Sequence, residues 1–383
     1  MSVTAALGFE AAGVAAGLRK SGGPDVALVV NRGPLSSAAA VFTSNRAKAN
    51  PILWSEQVIR DGVVSAIVLN SGGANCFTGA QGFQTAHATA ESVAAEIDVS
   101  SGDVLVCSTG LIGEQLDRDA LLAGVAAAAA SLSADGGVDA ANAILTTDTV
   151  AKLSVADKGG WKIGGMAKGA GMLAPALATM LVVLTTDADL ASHELDAALR
   201  RAVASTFNRL DSDGCTSTND QVTLLASGAS DIRPDVEDFT STLTEVCADL
   251  ARQLMADAEG ASHEITITVR GAASESDAEE VGRSIARSNL FKAAVFGNDP
   301  NWGRVLAAIG TTSAPFDPYR VDVSMNGIRV CHAGEPDAPR ENVDLTPRQL
   351  ALDIDLAAGS SSATILTNDL THAYVHENSA YAS

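Results

Sequence analysis

Short apolar runs alternate with segments of helical spacing along most of the chain. Residues 64–69 form an apolar run of buried-strand length, and the small-residue turn Asn70-Ser-Gly-Gly-Ala-Asn75 follows it. Strands are also expected over 103–107, 181–184, 221–226, 321–325 and 363–367. Residues 263–270 alternate with period two, as a half-buried strand does. Apolar positions recur at helical spacing over 83–97, 120–132, 193–207, 239–258 and 277–291. Strands and helices mixed along the whole length predict an α/β (α+β) protein in which helices cover the sheets. Hydrophobic patterning leaves open whether those sheets are parallel.

Length and composition narrow the picture. A chain of 383 residues with 46% hydrophobic and 19% charged residues builds a sizeable core, and disorder is not expected. The formal net charge of -21 argues against nucleic acid and anionic membranes as partners, since both need clustered Lys and Arg. Residues 1–19 lack the basic start and apolar core of a secretory signal, and no apolar stretch reaches a membrane span. Five dispersed cysteines contain no Cys-x-x-Cys pair, so neither a zinc ribbon nor a redox pair is indicated. A reduced, cytoplasmic enzyme is the expectation.

The chemistry gathers around residues 168–188. Gly169-Ala-Gly171-Met-Leu-Ala174 fits the dinucleotide fingerprint, but Pro175 and then the strand pattern from Thr179 follow where that fingerprint needs a helix. An ordinary turn into a buried strand fits the local pattern, with Thr179 at its head. A third reading is self-attack. A threonine hydroxyl is a weak nucleophile without a neighbouring base, and a threonine at a chain start carries its own, an α-amino group of pKa about 8. Reaching that state requires the hydroxyl to attack the preceding carbonyl, and the small residues before Thr179 allow the backbone to bend. Six histidines occupy no metal-ligand spacing and no Gly-x-Ser-x-Gly elbow occurs, so a serine-hydrolase triad is unsupported.

The segment Gly165-Met-Ala-Lys-Gly-Ala-Gly-Met-Leu-Ala-Pro-Ala-Leu-Ala-Thr-Met180 resembles the cleavage segment of the ornithine acetyltransferase family of arginine biosynthesis, also called glutamate N-acetyltransferase. Further stretches resemble that family in the same order: Ala40-Val-Phe-Thr43, Asn70-Ser-Gly-Gly-Ala-Asn75, Cys107-Ser-Thr-Gly-Leu-Ile-Gly113, Thr146-Thr-Asp-Thr149, Ser217-Thr-Asn-Asp220, Asp257-Ala-Glu-Gly260, Asn298-Asp-Pro-Asn-Trp-Gly-Arg304 and Tyr374-Val-His-Glu-Asn-Ser-Ala-Tyr381. Singly they carry little. Together they span nearly the whole chain.

The resemblance implies a layered αββα-type sandwich and self-cleavage between Ala178 and Thr179. Residues 1–178 become one chain and 179–383 a second, interwoven with it, and two such pairs form a heterotetramer. Thr179 is then the nucleophile for cleavage and for acetyl transfer, and Thr109 and Gly110 are the oxyanion hole. Thr146, Lys168, Thr179, Glu259, Asn378 and Ser383 bind substrate, with Glu259 facing the amino group of ornithine. From the residues alone, each has a plainer reading: Ser-Thr-Gly as a strand-ending turn, Lys168 as a surface lysine, Thr146 as part of a helix cap and Glu259 as a helix-end carboxylate. The choice between Thr146 and Thr147 stays open. The implied reaction moves the acetyl group from N2-acetylornithine to glutamate through acetyl-Thr179, without cofactor or metal. Some family members also take acetyl-CoA as donor, a choice no residue decides. The competing reading is a self-cleaving aminopeptidase or amidohydrolase, in which water resolves the acyl-enzyme.

Overall fold

In a computed structural model that describes residues 2–173 and 180–380, two sheets lie face to face with helices outside both. The first sheet has the order Phe9–Val14, Val26–Asn31, Ala66–Ser71, Val104–Thr109, with only the last pair parallel. The second runs Ser37–Phe42, Gln221–Ala226, Leu181–Thr186, Lys162–Lys168, Lys152–Asp157, with Gln221–Ala226 and Leu181–Thr186 parallel and the other pairs antiparallel.

Strand alternation explains the layering. Ala27 and Val29 face the second sheet and pack with Met166, Leu181 and Val183, while Val26, Leu28 and Val30 face outward. The outward set is covered by the helices Gly79–Ile97 and Arg118–Ala130. On the far side, Val182 and Leu184 meet the helices Ser192–Ser205 and Val236–Ala256. Strands buried on both faces need unbroken apolar runs, and Val-Ala-Leu-Val-Val at 26–30 is one. Burial of each Val or Leu side chain stabilises such a core by about 1.5–3 kcal/mol. The αββα sandwich is therefore present.

A six-stranded sheet extends the sandwich: Glu335–Pro336, Ile328–His332, Asp322–Met325, Gln349–Asp355, Glu264–Ala272, Ser361–Asn368. Its helices Glu275–Ala286, Asn289–Phe296 and Trp302–Ile309 share one core with it. Alternating burial along Glu264–Ala272 matches the period-two pattern of the sequence.

Some expected elements differ in extent. The single helix over 277–291 is two, because Ser288 leaves the helical conformation and its hydroxyl accepts the Phe291 N–H as an N-cap. The helix expected over 239–258 starts at Val236, where Asp235 caps two backbone N–H groups, and ends at Ala256.

One feature of the second sheet bears on function. Its order interleaves segments from either side of residue 178. Leu181–Thr186 and Gln221–Ala226 lie between Ser37–Phe42 on one flank and Lys162–Lys168 with Lys152–Asp157 on the other. Among the described residues, no helix is long and apolar enough to cross a membrane.

Candidate active site

Two strand ends from different sheets meet. Val104–Thr109 ends the first sheet at its edge, and Lys162–Lys168 ends in the second, so Thr109 and Lys168 arrive as the last residues of their strands. Both are 1% exposed. The Lys168 ammonium donates to the hydroxyl of Thr109 at 3.2 Å and to that of Thr146 at 2.7 Å. A hydroxyl has one proton to give and two lone pairs to receive with. With the ammonium on their oxygens, Thr109 and Thr146 each keep a polarised O–H, and neither donates it to a described residue.

Gly110 follows at φ 130, a conformation that favours glycine, and a Cβ there would lie 2.6 Å from the Gly73 backbone nitrogen. The turn after the strand is thus held against Gly72 and Gly73 by backbone contact alone. Beside it a half-open cavity of about 530 Å³ is lined by Gly110, Thr146, Thr147, Arg19 and Glu114.

Asp148 organises the charges. It accepts from the Lys152 ammonium and the Gly169 N–H, each at 2.6 Å, and lies 3.8 Å from the Lys168 ammonium. Burial alone would raise its pKa, but Lys168 and Lys152 outweigh burial and hold the carboxyl below its usual value. Lys168 shifts the other way. Loss of hydration pushes its pKa down, and Asp148 restores only part of it. Lys152 also pairs with Asp257, which ties the 146–149 turn to the end of the helix Val236–Ala256.

Glu259 sits three residues beyond that helix. Its backbone N–H donates to the Ala170 carbonyl at 3.0 Å, and a Cβ on Gly171 would fall 2.6 Å from its carboxylate. One carboxylate oxygen accepts from the Thr147 hydroxyl at 2.7 Å, the other from the Asn378 amide at 2.9 Å. The threonine pair therefore divides its work: Thr146 turns to Lys168, Thr147 to Glu259.

Asn378 lies on the C-terminal helix His372–Ala380. Thr371 donates to the Gly260 carbonyl at 2.6 Å, and the Tyr374 hydroxyl reaches Asp213 at 3.4 Å. Tyr374 thus anchors the tail, whereas Val375 is 55% exposed and does not. Thr109, Gly110, Thr146, Lys168, Glu259 and Asn378 come together through these contacts. Thr179 and Ser383 lie outside the described residues, as do Ala178 and Tyr381. The described chain stops at Leu173 and resumes at Met180, both buried.

Asp148 and Lys152 were not among the expected site residues, and Thr147 stood only as the alternative to Thr146. Asp148 and Thr147 lie inside the Thr-Thr-Asp-Thr run, where the signal was a carboxylate between hydroxyls. The His263 ring is structural. Its Nδ1 meets Asp369 at 2.7 Å and Ser262 at 3.1 Å, while Nε2 is taken by the Leu345 carbonyl at 2.8 Å, so no serine is activated through it.

The ArgJ family model matches residues 10–383. The chain is 62% identical to the arginine biosynthesis bifunctional protein ArgJ of Streptomyces avermitilis over 383 residues, all of both chains. It is 54% identical to the protein of that name from Mycobacterium leprae, over all of this chain and 96% of the other. It is also similar to the crystal structure of ornithine acetyltransferase complexed with ornithine from Mycobacterium tuberculosis, with 50% identity and a TM-score of 0.45, across 47% of this chain and 96% of that one.

Proposed function

The chain belongs to the ArgJ family and is an acetyltransferase of arginine biosynthesis, and from that premise we propose that it cuts itself before Thr179 and carries the acetyl group on the threonine so exposed. N2-acetylornithine acylates the Thr179 hydroxyl and ornithine leaves. Glutamate then takes the acetyl group. The free α-amino group of Thr179 is the base for its own hydroxyl in both half-reactions.

The observation that carries this reading is the buried Lys168 ammonium with two threonine hydroxyls on it. Acyl transfer passes through a tetrahedral oxyanion, and donors fixed beforehand stabilise it most. The Thr109 O–H, polarised by Lys168, together with the turn at Gly110, forms such a donor set. Thr146 and Lys168 bind the acyl portion of the substrate. Glu259, braced by Thr147 and Asn378, pairs with the ornithine ammonium, and Ser383 closes the same end. The interleaved sheet supports a stable complex of residues 1–178 with 179–383, because separating them would strip Leu181–Thr186 from Lys162–Lys168. Two such pairs form a heterotetramer in the cytoplasm.

The test is mass spectrometry of the purified protein with N2-acetylornithine. Two chains are expected, the second beginning Thr-Met-Leu-Val, and that second chain gains one acetyl group that glutamate removes. A single uncut chain with full activity would overturn the proposal. Loss of the acetyl group to water at the same rate without glutamate would replace the transferase with a hydrolase. A parallel assay with acetyl-CoA decides whether it serves as a second donor.

A further inference from the structure

Self-cleavage raises a problem that the mature cycle does not have. Before the cut, the Thr179 nitrogen belongs to a peptide bond and is no base. Another group must take the hydroxyl proton. Three carboxylates of the site accept hydrogen bonds on both oxygens. Asp148 receives Lys152 and the Gly169 N–H on one oxygen and the Thr146 N–H on the other. Glu259 is held at both oxygens by Thr147 and Asn378. Asp213 receives the Cys215 N–H on one and the Met172 N–H on the other.

Asp220 differs. It immediately precedes Gln221–Ala226, as Met180 precedes Leu181–Thr186, and these strands run parallel with Leu181 opposite Gln221. The side chain is fully buried. Its Oδ1 accepts the Met180 N–H at 3.1 Å, and the Gln221 N–H donates to the Met180 carbonyl at 3.2 Å. Met180 is therefore clamped twice, and its nitrogen is the atom bonded to Thr179. The second oxygen, Oδ2, is buried and forms no hydrogen bond with a described residue. An unpaired buried carboxylate oxygen is costly unless something uses it.

We infer that Asp220 is the proton acceptor of self-cleavage, Oδ2 receiving the Thr179 hydroxyl proton as Oγ attacks the Ala178 carbonyl carbon. The tetrahedral adduct collapses with rupture of the Ala178–Thr179 C–N bond. The proton held by Asp220 passes to the departing nitrogen, leaving a free amine and an ester between Ala178 and the Thr179 oxygen. Water then hydrolyses the ester, releasing the Ala178 carboxyl and restoring the hydroxyl. Asp220 ends as it began. Its electrostatics fit the task. Burial pushes its pKa well up, and the Met180 N–H and Lys168 offset only part of that, which makes it a stronger base than an exposed aspartate.

The inference rests on the self-cleavage reading above, and the experiment separates the two. Asp220→Asn retains an oxygen for the Met180 N–H and nearly the same volume, but has no basic second atom. Freshly synthesised wild-type and variant precursors are followed by gel at pH 7.5, with circular dichroism and melting as checks on folding. The variant is expected to remain at 38.9 kDa while the wild type is fully cut, with cleavage slowed at least about a hundredfold. Cleavage within about threefold of wild type would overturn the inference and leave Asp220 only as the clamp on Met180. If the variant misfolds, the wild-type precursor still decides. Its cleavage rate should rise with pH as the carboxyl ionises and then level, whereas a flat rate from pH 4 to 8 overturns the inference. An uncut wild type would instead sink self-cleavage itself.

Discussion

The two ends of the site are built differently. At the end where Thr109, Thr146, Lys168 and Asp148 converge, the ammonium and the carboxylate are enclosed and each sits at or beside a strand end. At the end where Glu259 and Asn378 meet, the pieces are a loop and a C-terminal helix with no buried residue. A group aimed at a developing charge must be fixed before the reaction, and strand ends locked into two packed sheets provide that. A group that receives and releases an amino acid needs access, and a loop braced by an exposed helix gives it. The same comparison predicts how each end breaks: the buried end through stability and kcat, the open end through KM.

The largest effect should come from Asp148→Asn. The substitution leaves Lys168 without its nearby carboxylate and Lys152 with only Asp257. Breaking a buried ion pair from one side costs about 3–5 kcal/mol. The pH dependence follows from the depressed Asp148 pKa. Its stabilisation is fully present above the unfolded value of 3.8 and is lost as pH falls through the lower folded value. Denaturant melts at pH 7 should show the full gap between variant and wild type, and melts below pH 3.8 a narrowing one. A constant gap at both pH values would mean that Asp148 acts through packing rather than charge.

Thr109→Ala tests the same end with less damage to the fold. Both self-cleavage and acetyl transfer should slow by roughly a hundredfold to a thousandfold if one oxyanion donor is lost, with KM little changed. Wild-type kcat would move the oxyanion hole away from Thr109.

Much of this arrangement was legible in the residues, and the illegible part has a physical cause. Continuous apolar runs such as 181–184 announce strands buried on both faces, and the structure has Leu181–Thr186 as one. Lys168 reads locally as a surface lysine, but it stands in an uncharged stretch and is buried. Its partners were harder to see. Thr109 and Thr146 are 59 and 22 residues away, and only the meeting of two sheets brings them to one ammonium. Asp148 reads locally as one more turn carboxylate. Its role appears once Lys152 and Lys168 reach it from adjacent antiparallel strands. The split of 277–291 into two helices was visible in Ser288, a good N-cap, but helical apolar spacing on both sides concealed it.

Glu259→Gln moves to the open end. Glutamine keeps the shape and can still meet Thr147, but it loses the charge that the proposed function pairs with the substrate ammonium. A charge-assisted hydrogen bond contributes about 1.5–3 kcal/mol, so KM for N2-acetylornithine should rise roughly tenfold to a hundredfold while self-cleavage proceeds normally. A fall in kcat with KM unchanged would assign Glu259 to the chemistry instead.

The smallest effect belongs to the tail. Asn378 does not face the buried ammonium. Its amide braces one oxygen of Glu259 at 2.9 Å from an exposed helix, where water competes for the same oxygen. Removing the amide with Asn378→Ala leaves no buried group unpaired. The loss is that of one solvent-accessible hydrogen bond, about 0.5–1.5 kcal/mol, or roughly twofold to tenfold in KM for N2-acetylornithine. Tyr374 and Thr371 still hold the helix against Asp213 and Gly260, so the fold and the cut before Thr179 should be untouched. An affinity tag after Ser383 asks the same question from outside, since the proposed function puts Ser383 at the substrate end. It should raise the same KM and leave the two-band pattern intact. Steady-state kinetics on native, Asn378→Ala and tagged enzyme, with gels alongside, measure both. If neither change moves KM, Glu259 holds its position without the tail, and the C-terminal helix has no part in binding substrate.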